Sequence, residues 1–370
     1  MSRARVRIST NRGPLQLGFL PLTDCAPLVY ARESGLFEKY GIEVELRRET
    51  RWSDIRDKIT SGELDAAQAP ATLPFVTNVG LDSDPLAFIS GMVLSLEGNG
   101  IVLSKQLWDD GVRDAKGLRE QIYGNWRKRT FTFALVSLFC PEHLILRQWF
   151  QQAGIIPEVE IRLVVIPPDQ LFPTLKLGYI DGFCAGEPWI SVVTDAGIAK
   201  CVASSRDIAP RHPGKVLIVR QSFAAGRGEE HERLLAALLE ACAFCNQPEN
   251  RRLLGEMLIP AEYVNAPAEF VETGFPVRVE SGSSQTSEPL GTNIFFGGDS
   301  NEPSDNKSQW IISRLYEALG KGMDKLSVEG RSPVLKNIFR NDIFSRAKAL
   351  VGKPKGDGTE WNSEHKALAG

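Results

Sequence analysis

The sequence predicts an α/β fold: two lobes, each a sheet covered by helices, hinged about a cleft. Three observations carry this. The 370 residues suit about two domains at roughly 150 residues each. Short apolar or alternating runs take turns with stretches of helical periodicity. The segments between them are only a few residues long, as in sheets built from strand–helix–strand units.

In chain order, Leu15–Leu20 is an apolar run closed by Pro21, and Ala26–Tyr40 reads as an amphipathic helix stopped by Gly41. Ile42–Leu46 alternates as a strand and Trp52–Thr60 turns helical. Leu64–Ala67 is a stub of strand, and Pro70–Val79 a helix with proline in its first turn. Pro85–Val93 and Gly100–Ser104 are strands. A second set follows. Phe131–Leu135, Ile161–Ile166 and Tyr179–Cys184 read as strands; Pro141–Ala153, Asp169–Leu177 and Pro188–Ala196 read as helices. Lys215–Val219 returns as a strand and Glu229–Asn246 as a long helix. The expected first lobe is 14–103 plus 209–350, and the second is 104–208. Glu280–Lys307, rich in Ser, Gly, Asn, Asp and Pro, reads as a mobile surface excursion within the first lobe. Gln309–Leu319 and Ser332–Leu350 recover helical periodicity, and residues 351–370 form a polar, disordered tail.

The 43 Lys and Arg against 46 Asp and Glu give a net charge of −3, which argues against a broad basic face and direct nucleic-acid contact. The longest apolar stretch, Phe131–Cys140, falls far short of the ~20 residues that cross a bilayer, so no membrane insertion is expected. Met1–Gly13 carries arginines but no apolar h-region, so no secretory leader is expected and the chain reads as cytoplasmic; a start further upstream would make it periplasmic. The six cysteines are scattered, as suits a reducing compartment.

Enzyme chemistry has little support. Cys242-Ala-Phe-Cys245 is one pair inside a Leu- and Ala-rich helix, neither a complete zinc set nor an activated thiolate. The four histidines form no metal-binding spacing, and neither a phosphate loop nor a nucleophile elbow occurs. No metal and no cofactor are expected. Polar residues at strand-to-helix junctions remain: Thr23 and Asp24, Trp52, Gln68, Ser95–Asn99, Ser137–Cys140 and Gly186–Trp189. In open α/β sheets ligands bind at this end, where helix N-termini present free N–H groups to a small anion. The plainer alternative is that Asp24 and Ser137 cap helices while Trp52 and Trp189 fill gaps between layers.

Several segments carry a family resemblance. Gly18-Phe-Leu-Pro-Leu-Thr-Asp-Cys-Ala-Pro-Leu28, followed by Gly35-Leu-Phe-Glu-Lys-Tyr-Gly41, resembles the opening of type II periplasmic binding proteins. Trp52–Lys58, Leu64–Pro70 and Gly98-Asn-Gly100 narrow the resemblance to the nitrate- and bicarbonate-binding branch. Arg147–Phe150 and Ile180–Trp189 resemble its cytosolic nitrate/nitrite sensors. The resemblance implies a non-enzymatic, two-lobed protein closing on nitrate or nitrite. In the sensor role it sequesters an RNA-binding antiterminator response regulator. The alternatives are the solute-binding component of an ABC transporter, docking on its permease; a biosynthetic enzyme of the thiamine-pyrimidine or menaquinone type on the same fold; and a partner-binding module that has lost its ligand.

By position, the resemblance puts the ligand contacts on Trp52, Gln68, Glu97, Asn99, Ser137, Gly186 and Arg211. Helix-terminus contacts fall at Thr23, Asp24, Cys140 and Glu187. Glu97 stands where the family has a glutamine, and a carboxylate beside an anion repels it unless protonated or turned away. The family's cleft histidine falls near Leu135 or Val136, and its basic residue near Pro210, with Arg211 as the substitute.

Overall fold

The computed structural model describes residues 13–81, 83–126, 128–265, 293–319 and 333–352. The expected excursion at 280–292 and the tail from 353 onward lie outside them.

The first half runs β1 (Leu15–Phe19), α1 (Ala26–Glu33), α2 (Leu36–Lys39), β2 (Val44–Arg48), α3 (Trp52–Ser61), β3 (Ala66–Pro70), α4 (Leu73–Val79) and β4 (Phe88–Leu96). Next come β5 (Asn99–Ser104), α5 (Lys105–Asp109), α6 (Ala115–Gly124), β6 (Phe131–Leu135), α7 (Pro141–Gln152), β7 (Ile161–Val165), α8 (Leu171–Lys176), β8 (Gly182–Gly186), α9 (Trp189–Asp195) and β9 (Ala199–Ser204). The chain returns through α10 (Ser205–Ile208), β10 (Pro213–Arg220), α11 (Gln221–Gly226), α12 (Gly228–Cys245) and α13 (Arg251–Leu258). It then reaches α14 (Asp305–Leu319), α15 (Pro333–Lys336) and α16 (Asn341–Lys348).

These strands form two five-stranded sheets of matching design, β2-β1-β3-β10-β4 and β7-β6-β8-β5-β9. In each, four strands run the same way and one, inserted among them, runs antiparallel to both its neighbours. That antiparallel strand has crossed over from the other half: β5 enters the second sheet directly after β4, and β10 enters the first directly after β9. Gly100–Ser104, expected in the first lobe, therefore belongs to the second, because its backbone pairs with β8 and β9. An apolar strand can join either sheet, and its sequence pattern does not say which.

Local chemistry explains other departures. The helix expected over Ala26–Tyr40 is two helices, broken at Gly35, whose φ of 70° suits a residue without Cβ. Pro70 ends β3 rather than opening a helix, pairing with Lys215 of β10. Within the expected mobile excursion, residues 293–307 are anchored: Ile294 bridges to Leu96, Phe295 and Asn301 are buried, and Asn301 Nδ2 donates to the Val93 and Phe295 carbonyls.

The first sheet is covered on both faces. On one, α1, α2, α12 and α16 pack Phe37, Leu234, Leu238, Cys242, Cys245 and Phe344 against Leu17 and Phe19. On the other, Ile55, Phe75, Ile311 and Leu315 pack against Ala67 and Val216. At ~1.5–3 kcal/mol for each fully buried large side chain, this burial holds the lobe together. The second lobe repeats the scheme around Phe133, Phe150 and Phe183.

Candidate functional site

The ends of β1, β2, β3, β6 and β8 all turn into helix starts at the join of the two lobes, and the lobes touch there. Thr23 donates from its backbone N (2.9 Å) and Oγ1 (3.3 Å) to the Glu187 carbonyl, and Thr72 Oγ1 donates to the Phe139 carbonyl.

At the centre of this join lies Lys215, 1% exposed, on β10. Its Nζ is 3.1 Å from Asp24 Oδ2 of the first lobe and 3.1 Å from Glu142 Oε1 at the start of α7 in the second. Gln68 Nε2 donates to Asp24 Oδ1 at 2.6 Å, and the Trp52 ring lies 5.7 Å from Lys215 Nζ. Burial disfavours the Lys215 charge, but the two carboxylates outweigh it and hold the ammonium well above its ordinary range. Burial raises Asp24 despite Lys215. Glu142 falls below its ordinary value: burial pushes it up, but Lys215, its own backbone N–H and the Cys140 thiol win. With all three ionised, the cluster carries one net negative charge.

Several buried polar atoms on the strands and helices that meet at this join are left unsatisfied. Trp52 Nε1, Gln68 Oε1, Ser95 Oγ, Asn99 Nδ2, Glu142 Oε2, Trp189 Nε1 and His212 Nε2 are buried without a hydrogen-bond partner among the described residues. A lost partner costs ~1–3 kcal/mol per buried group, so these atoms are candidates for contact with a ligand or bound water. His212 Nδ1 lies 2.8 Å from the Ala209 carbonyl, an acceptor, which assigns the ring proton to Nδ1 and leaves Nε2 a lone pair. Burial holds this imidazole neutral, its pKa lowered to about 4.

Outside Trp52 runs a groove of about 280 Å³ between the lobes, lined by Arg51, Ser53 and Arg56 on one side and Ser137, Leu138 and Pro167 on the other. Trp52 is thus the wall between solvent and Lys215. α3 begins here without a side-chain cap. Among the described residues no group of three or more His, Cys, Asp or Glu could hold a metal ion, and no helix is long and apolar enough to cross a membrane.

Of the residues expected from sequence, Trp52, Gln68 and Asp24 come together at Lys215. Asn99 and Gly186 are paired across β5 and β8 at the crossover, and Asn99 N also donates to Ser205 Oγ at 3.2 Å. Ser137 lines the outer groove and accepts from Phe139 N, while Cys140 Sγ donates to the Ser137 carbonyl. Glu187 caps its own helix, accepting from Ser191 N and Oγ at 3.0 Å each; burial raises its pKa to about 7.

Two residues sit differently from expectation. Arg211 is not the cation of this cluster: its guanidinium points outward to Asp299 at 2.5 Å and is about half exposed. Its left-handed backbone, φ 59°, directs its N–H to Glu97 Oε1 at 2.7 Å. Glu97, itself at φ 61°, therefore has a carboxylate oxygen engaged by backbone at the crossover. Sequence reasoning missed Lys215, Glu142 and His212. The available signal was one lysine opening the apolar run Lys215–Val219 directly after Pro213-Gly214.

The NMT1-like family matches residues 9–259. The nitrate import ATP-binding protein NrtC of Synechocystis sp. is 35% identical over 94% of the chain, and the bicarbonate transport ATP-binding protein CmpC of the same organism is 34% identical over 91%. The chain spans about half the length of these relatives, 52% and 50%. The nitrate/nitrite binding protein NrtA of Nostoc sp. is 25% identical over 91% of the chain and 77% of its own length. Among solved structures, the periplasmic nitrate-binding protein NrtA of Synechocystis PCC 6803 superposes with a TM-score of 0.82 at 24% identity, covering 92% of this chain and 89% of that one. The fold is that of the periplasmic binding proteins.

Proposed function

The chain belongs to the NMT1-like family, within the resemblance to its nitrate- and bicarbonate-binding branch, and from that premise we propose that it is a non-enzymatic, small-oxyanion-binding part of an ABC-type import system. The ligand sits at Lys215, between the lobes. One observation carries the reading. A fully buried ammonium at the lobe junction lies 5.7 Å from the Trp52 ring, whose indole Nε1 is a buried donor without a partner among the described residues. Contacts from both lobes to one small guest favour the closed arrangement by differential affinity.

The relatives named above are import-system proteins, which favours the transport role over regulator sequestration by a cytosolic sensor. Calorimetry of the full chain with nitrate, nitrite and bicarbonate tests the reading. Binding of at least one, weakened by Trp52→Phe, is expected; heat from none of them removes it.

A further inference from the structure

Eleven large apolar or aromatic side chains are exposed among the described residues, and six of them lie at one end of the second lobe. Tyr123 and Trp126 precede β6, Ile156 and Val159 precede β7, and Leu177 and Tyr179 precede β8. These strands lie side by side and run the same way, Phe131 opposite Ile161 and Phe133 opposite Gly182, so the segments entering them share one end of the sheet. It is the end remote from the join, where β6 and β8 finish. Asp181 ties two of the segments together, accepting from Thr132 N at 2.8 Å and pairing with Arg129. The Tyr123 and Trp126 rings stack at 6.3 Å, and Leu177 and Tyr179 are 67% and 70% exposed. Single exposed apolar residues are ordinary, but six on three adjoining segments mark a contact surface.

Charge decides what kind of contact this is. Most acids of these segments are used within the chain: Glu158 pairs with Arg147, Glu160 accepts from Ile156 N, and Asp181 is held by Arg129 and Thr132, which leaves the exposed Glu120. Lys128, Arg162 and Lys176 are exposed and in no ion pair among the described residues, and the Arg119 guanidinium lies 5.1 Å from the Tyr123 ring centroid. The run Trp126-Arg-Lys-Arg129 is itself aromatic and basic. Rings with one polar edge, aliphatic tips and unpaired cations are the combination that settles between lipid headgroups and acyl chains. We propose that this end of the second lobe rests on an anionic phospholipid surface. Trp126, Tyr179 and Leu177 enter the headgroup layer while Lys128, Arg162 and Lys176 meet lipid phosphates. No helix among the described residues is long and apolar enough to cross a membrane, so the contact is peripheral. The groove beside Trp52 lies at the other end of the sheet and stays open to solvent, and the inference stands apart from the oxyanion reading.

The test is co-sedimentation of the full chain with vesicles of phosphatidylcholine alone and of equimolar phosphatidylcholine and phosphatidylglycerol. The chain is expected to follow the mixed vesicles, less so at high salt, where the lipid charge is screened, and hardly at all the neutral ones. Trp126→Ser with Leu177→Ser removes apolar contact, and Lys128→Glu with Lys176→Glu reverses two charges. Each pair changes only exposed side chains and is expected to lower the partition coefficient about tenfold or more, with cooperative melting retained. Tyr316→Ser, exposed on α14, is expected to leave it unchanged. No association with the mixed vesicles overturns the assignment, and so does association that neither pair weakens. A dimer in light scattering that Trp126→Ser with Leu177→Ser dissociates, in a chain that ignores vesicles, gives the surface to a second copy and overturns it too.

Discussion

Lys215 Nζ and Glu142 Oε1 meet at 3.1 Å across the join of the two lobes, one on a strand of the first sheet and the other on the opening turn of a helix in the second lobe. With Asp24 on its other side, the lysine is fully neutralised by the protein's own side chains. The lobes are thus held together by a buried ionic contact made within the chain.

That contact makes Lys215 the most sensitive position in the cleft. Lys215→Met leaves two carboxylates buried without a cation, and is expected to cost about 3–5 kcal/mol in urea denaturation. Combining it with Asp24→Asn and Glu142→Gln should restore much of the loss. If the single variant is as stable as the native protein, the ion triad is not closed in solution.

Trp52 separates a packing role from a donor role. Trp52→Phe keeps an aromatic wall over Lys215 but deletes the indole N–H. Stability should change by less than about 1.5 kcal/mol, while ligand affinity falls about tenfold, as expected for one hydrogen bond to a charged partner. Parallel melting and titration measurements distinguish the two, and a variant with undiminished affinity shows that the indole N–H makes no ligand contact.

Glu187 gives a pH dependence of unusual sign. Its folded pKa of about 7 lies above the ordinary 4.5, so the folded chain keeps a proton that the unfolded chain releases. This contribution is fully present below about pH 4.5 and is lost as pH rises through 7. Glu187→Gln should therefore stabilise the protein at pH 8, by up to about 3 kcal/mol, and flatten this part of the stability profile. A denaturation series that moves in parallel for the native and variant proteins would sink the idea.

His212 and His231 act in the opposite direction. Burial lowers each to about 4, and Arg340 and Arg346 add to the effect at His231. Their contribution is present above about pH 6.5 and is lost as pH falls through 4, because the buried rings must then charge. His231→Phe, beside Phe223, is expected to reduce the acid sensitivity measured between pH 6.5 and 4.

Gly98 tests the crossover. Its φ is 88°, and an added Cβ would stand 1.9 Å from Asn293 Oδ1. Gly98→Ala should destabilise by at least about 1 kcal/mol, and the companion change Asn293→Gly should recover the steric part of that loss but not the backbone part.

Much of this architecture was legible in the sequence because strand and helix periodicities differ, and because polar residues at strand-to-helix junctions stand out against apolar runs. Trp52, Gln68 and Asp24, singled out on that ground, lie together beside Lys215. Glu142 was not singled out, since an acid in the first turn of a helix is common and reads as a response to the helix dipole. Lys215 was hidden for a related reason: a lysine opening a strand reads as the point where the strand meets solvent. Its burial depends on β10 being inserted between β3 and β4, a pairing set by topology. Glu97 stood out as a departure, but its orientation is fixed by two successive left-handed residues, Glu97 and Gly98, whose turn no residue pattern announced.

Trp310 on α14 packs against the cores of both lobes, and its ring lies 5.5 Å from that of His212. The C-terminal region is therefore a strut laid across the pivot. Any gaping of the halves drags this indole off one of its two seats, so the hinge carries its own restoring force, supplied by apolar contact and insensitive to ionic strength. A chain deprived of that strut would trade a sprung gate for a slack one.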